Sequence, residues 1–78
     1  MNDRASNLGR AVRSRRERLG LTQTELSELA GCSARFVHVL EAGKPTARLD
    51  KVLDVLGALG LELVVRRGLG VIVAEEDP

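Results

Sequence analysis

Along the first sixty residues, apolar side chains recur every three or four positions, in four runs separated by glycines. Leu8, Ala11, Val12 and Leu19 predict a first helix ended by Gly20, with Arg10, Arg13 and Arg16 on its other faces. Leu26, Leu29 and Ala30 predict a second, stopped by Gly31. Phe36, Val37 and Leu40 give a third, closed by Gly43. Leu49, Val52, Leu53, Leu56 and Leu59 form the longest apolar face; Gly57 weakens this fourth helix and Gly60 ends it. The period then changes. Leu61-Glu62-Leu63-Val64-Val65-Arg66 is rich in branched residues and partly alternates, which reads as a strand. Residues 67–70 read as a turn, and Val71 to Ala74 could form a second short strand.

Helix starts are marked as clearly as helix ends. Thr22-Gln23-Thr24-Glu25 spells a capping box, with Leu21 and Leu26 placed as a hydrophobic staple around it. Ser33 is a good N-cap for the third helix and Thr46 can cap the fourth. Helices two and three are separated only by Gly31-Cys32-Ser33, too little chain for an antiparallel return. They must cross steeply, as in a helix-turn-helix unit. Counting Gln23 as the first position, Ser27 is a small fifth residue where the helices approach, and Gly31 is a ninth residue suited to a left-handed backbone. Val37 is a branched fifteenth residue that plugs the core.

Seventy-eight residues make one small domain, of a size that often relies on disulfides, a metal or a partner subunit. Cys32 is the only cysteine and His38 the only histidine, so neither a disulfide nor a zinc set is expected, and no cofactor. A partner subunit stays open. The arginine-rich start shows no secretory pattern, and the run 52–65 is interrupted by Asp54 and Glu62, so no membrane association and a cytoplasmic location are expected. Net charge is only +1, but its distribution is uneven. Residues 1–48 hold nine basic against five acidic side chains, and residues 49–78 hold three against six. One half could therefore face phosphate while the other faces something else, although solvated helix faces account for the same charges.

The stretch Leu19 to Leu26, the turn Ala30-Gly31-Cys32-Ser33 and the run Leu40-Glu41-Ala42-Gly43-Lys44 resemble the bacterial and phage repressors related to the xenobiotic-response-element regulators. Residues Lys44 to Asp50, then Val52-Leu53 and Ala58 to Leu63, resemble more narrowly the HipB-type antitoxins. The resemblance implies a mostly α, lambda-repressor-like bundle of four to five helices with a C-terminal β-strand that pairs across a dimer. On it, 5–60 is a DNA-binding domain, 61–74 a strand and dimerisation segment, and 75–78 an acidic tail. Ser27 stands where alanine is commoner, and His38 where a small hydroxyl is usual, so base specificity cannot be transferred from relatives.

The resemblance also selects candidate DNA contacts. Gln23 would meet a phosphate or the first base; otherwise it is a solvated polar residue. Ser33 could offer its hydroxyl or amide to a phosphate, although capping alone explains it. Ala34, Arg35 and His38 lie off the apolar stripe and would enter the major groove. Arg35 could pair bidentately with guanine; a phosphate contact or a surface salt bridge are its alternatives. Lys44 and Arg48 are candidate phosphate contacts, with Arg13 and Arg16 as weaker ones. Phe36 and Cys32 read as core, and Glu41 as a structural partner for an arginine of the first helix.

A lone strand leaves backbone groups unpaired, so 61–66 must either fold back on 71–73 or pair with a second copy. The HipB resemblance favours the second, through Leu61, Leu63, Val64 and Val65. The implied function is a homodimeric, autoregulatory repressor of operator DNA, nucleoid-associated and paired with a HipA-like toxin kinase. Its alternative is a protein whose main task is restraining that kinase. No nucleophile with a paired base, defined carboxylate pair or glycine-rich phosphate loop points to an enzyme, and no catalytic or metal residue is expected.

Overall fold

The structure, a computed structural model, describes residues 3–75. Four helices follow one another: α1 (Asp3–Arg18), α2 (Gln23–Ala30), α3 (Ala34–Glu41) and α4 (Leu49–Ala58). One core unites them: Val12 from α1, Leu26 from α2, Val37 and Leu40 from α3, and Val52, Val55 and Leu56 from α4, with Leu59 just beyond it. Leu8, Leu21, Ala30, Cys32, Phe36 and Leu61 pack around that centre half-buried. Leu29, Leu49 and Leu53 do not join it; they are exposed, whereas Val55, outside the expected stripe, is fully buried. The face of α4 that packs is therefore 52-55-56-59, rotated from 49-52-53-56 although both satisfy helical spacing.

The helix ends follow from local chemistry. At α2, Glu25 N donates to Thr22 Oγ1 (3.0 Å) and Thr22 N donates to Glu25 Oε1 (2.9 Å), closing the capping box in both directions. These bonds, the Thr22 amide first, hold the Glu25 carboxyl below its ordinary value. Leu-Gly-Leu occurs twice, at 19–21 and 59–61, and acts alike at both. Gly20 and Gly60 take φ of 70°. Leu21 N then returns to Arg16 O (3.1 Å) and Leu61 N to Leu56 O (2.8 Å), the six-to-one bond of a Schellman cap. Lys44 N to Val39 O (3.1 Å) ends α3 in the same way around Gly43. Thr46, expected to cap α4, instead lies in a turn with Pro45. Arg48 occupies the N-cap position without a side-chain cap bond, and Asp50 Oδ1 accepts from Lys51 N (2.8 Å).

The C-terminal segment overturns the expected strand. Among the described residues there is no β-strand, and 61–75 runs as irregular chain with bends at 67–70. Leu61 is anchored by its cap bond and by packing on the core. Leu63, Val64 and Val65 are exposed. Arg66 and Glu75 form an ion pair at 3.1 Å, so the segment doubles back, yet no ladder forms between its arms. Alternation alone does not make a strand: without a register-fixing turn or a packed face, two short arms gain too little to offset their ordering entropy. The expected acidic tail begins at the exposed Glu75, and its remainder, 76–78, lies outside the described residues. No helix among the described residues is long and apolar enough to cross a membrane.

Candidate nucleic-acid interface

The turn between α2 and α3 is built by Gly31 (φ 73°, ψ 32°), whose left-handed backbone allows Cys32 N to return to Ser27 O at 3.0 Å. Ser27 is buried, and its hydroxyl donates to Thr24 O (2.7 Å), which satisfies it inside its own helix. Val37, wholly buried, fills the space beneath. Cys32 is half-buried; burial pushes its thiol pKa up, which keeps it a small apolar group rather than a nucleophile.

With Val37 and Leu40 fixed inward, the register of α3 is set, and Arg35 and His38 stand exposed on its outer face, three residues apart. Ala34, the first residue of that helix, is half-buried. Ser33 caps α3, its Oγ accepting from Phe36 N at 3.0 Å, and its hydroxyl hydrogen remains available to donate. Lys44 is exposed in the loop after α3. Arg48 is exposed too, but its guanidinium pairs with Asp50 at 2.6 Å, so a phosphate would have to compete with that carboxylate. The same pair, followed by the Lys51 amide, lowers the Asp50 carboxyl below its usual value.

Gln23 opens α2 half-buried, its Nε2 donating to Glu41 Oε1 at 3.1 Å. Glu41 is the partner of Arg16, bound through two nitrogens at 2.7 and 3.0 Å. Arg16 is therefore an internal tie rather than a phosphate contact. The Glu41 bond, above all, keeps its guanidinium charged by raising its pKa. Arg13 is exposed beside Glu17 at 3.5 Å. Two contributions went unseen in the sequence. The Lys51 ammonium lies 5.8 Å from the centre of the Phe36 ring, a cation–π contact between α4 and α3. Asp50, two residues beyond Arg48, was the visible sign that this arginine has a partner of its own.

Residues 7–69 match the helix-turn-helix domain family, which is most of the chain. The chain belongs to that family. A helix-turn-helix relative from Sinorhizobium fredii, an uncharacterized HTH-type transcriptional regulator, is 47% identical over 58 residues. That match covers 74% of this chain and 76% of the relative. Together the two likenesses support DNA-binding regulation. Within the helix-turn-helix unit, the glycine turn between α2 and α3 and the outward Arg35 and His38 are the features through which such regulation would act.

Proposed function

We propose that this helix-turn-helix protein is a sequence-specific repressor that binds operator DNA as a homodimer and regulates its own operon. One observation carries the reading: α3 buries Val37 and Leu40 while Arg35 and His38 project from its other side, beyond a start capped by Ser33. A helix presented in this way fits the major groove with its N-terminal residues at the base edges. In this reading Arg35 contacts a base and Ala34 lets the helix approach closely. His38 reads a further base edge; Gln23, Ser33, Lys44 and Arg48 bind the backbone. Repression follows from occlusion of the promoter.

The homodimer is supported by the need of one short helix for a second half-site, and by the exposed apolar side chains of 63–73. The antitoxin role and the HipA-like kinase partner rest on the resemblance of segment 44–63; co-purification with the product of an adjacent kinase-like gene tests them. Footprinting on DNA upstream of the gene tests the repressor itself. Two symmetric protected half-sites, about 34 Å apart on one face of the duplex, are the expected result. Protection without a boundary, spread evenly over unrelated DNA, would overturn it.

A further inference from the structure

Glu41 is a deeply placed charged side chain near the candidate interface, and the reading above gives it no part in recognition. Its side chain is 4% exposed, and its carboxylate faces the guanidinium of Arg16, a side chain 12% exposed. Arg16 donates through Nε to Oε2 at 2.7 Å and through Nη2 to Oε1 at 3.0 Å. Its remaining nitrogen, Nη1, donates to Leu21 O at 2.8 Å, in the turn just before the Thr22 cap. Gln23 then donates its Nε2 to the same Oε1 at 3.1 Å. One ion pair thus joins α1, the start of α2 and the last residue of α3.

We propose that Glu41 is a positioning residue for DNA recognition, holding the Gln23 amide in one orientation so that it meets the sugar–phosphate backbone already set. This rests on the DNA-binding reading given above. An ionised carboxylate accepts hydrogen bonds and cannot donate them, so Nε2 and not Oε1 of Gln23 must face it. The amide is therefore fixed against flipping. One N–H and the Oε1 carbonyl remain for an outside partner. A glutamine without such a tether would sample several rotamers and lose them on binding, a loss worth roughly 2- to 10-fold in affinity. Arg16 completes the arrangement: by compensating the Glu41 charge, it lets a carboxylate stand behind a phosphate contact without repelling the DNA.

The test is a mutant cycle read as dissociation constants for a duplex selected from a random library. Arg16→Met combined with Glu41→Leu replaces the ion pair by apolar side chains of similar reach, a change that folded proteins often tolerate. Gln23→Ala is made in the wild type and in that background. The expected result is a 2- to 10-fold loss from the Arg16→Met/Glu41→Leu change, and a Gln23→Ala effect that shrinks by at least half in its presence. An equal fold-loss from Gln23→Ala in both backgrounds would overturn the positioning role. Should the paired variant fail to fold, nuclear magnetic resonance of the unaltered protein decides. One Gln23 side-chain amide proton shifted and protected without DNA supports the tether, and two averaged, rapidly exchanging protons refute it. A wild type that selects no DNA would instead bring down the repressor reading, and this proposal with it.

Discussion

Gly9 is buried where α1 passes the end of α3, and a Cβ added there would stand 2.5 Å from Leu40 O and 2.6 Å from Glu41 O. Both neighbours are backbone, so nothing can swing aside. Gly9→Ala should therefore cost about 3 kcal/mol, the upper end for overpacking, and lower the melting temperature; an unchanged melting temperature would show that the helices do not approach so closely. No local pattern signals this, because the need for glycine comes from a contact with Leu40 and Glu41, far along the chain, rather than from a turn. Arg35 is different. Its position off the apolar stripe was legible, and the structure leaves it exposed. Arg35→Ala should weaken binding to a selected site by about 1–3 kcal/mol and relax preference at one base position. A uniform loss across all sequences would make it a phosphate contact instead.

At the scale of elements, local chemistry was readable wherever a few neighbouring residues settle the outcome. The Thr22–Glu25 box and the Leu-Gly-Leu ends belong to that class, since every atom involved lies within one turn. Thr22→Ala should destabilise the fold by about 1 kcal/mol in denaturant unfolding. Because the folded Glu25 carboxyl lies below its ordinary value of 4.5, its bond adds stability above that pH and loses it as the pH falls toward the folded value. Acid titration of wild type and Glu25→Ala should therefore converge at low pH; a constant gap between them would contradict the bond. Where two solutions satisfy the same spacing, the sequence could not choose. Leu53 and Val55 both fit a helical stripe, and the packing of α4 on the core buries Val55 and leaves Leu53 exposed. The start of α4 also departs from the expected Thr46 cap, because Thr46 lies in the Pro45 turn and Arg48 takes the N-cap position.

For the whole molecule, the segment after Leu61 departs furthest from expectation: alternation suggests a strand there, and the described chain is irregular. Strand formation depends on a partner surface, which a sequence pattern does not contain. Val65 and Leu69, 92% and 94% exposed, touch almost nothing in the monomer. Replacing both by serine should leave the melting temperature of dilute protein unchanged while shifting sedimentation at micromolar concentration from dimer to monomer. A monomeric wild type would remove the homodimer from the proposal, and a lowered melting temperature would show that these side chains pack within the chain. The charge asymmetry between the two halves also belongs to this scale. In the proposed reading it would supply nonspecific attraction to DNA, and Arg35 and its neighbours would supply the discrimination.

Those two contributions separate in one measurement. The protein is allowed to select duplexes from a random library, and its affinity for the selected and the unselected DNA is followed by fluorescence anisotropy over a salt series. Sequence-specific recognition predicts a selected palindrome bound about a thousandfold or more tighter than unselected DNA, with both affinities falling as salt rises. Equal affinities at every salt concentration, with no sequence enriched, would contradict the proposed repressor.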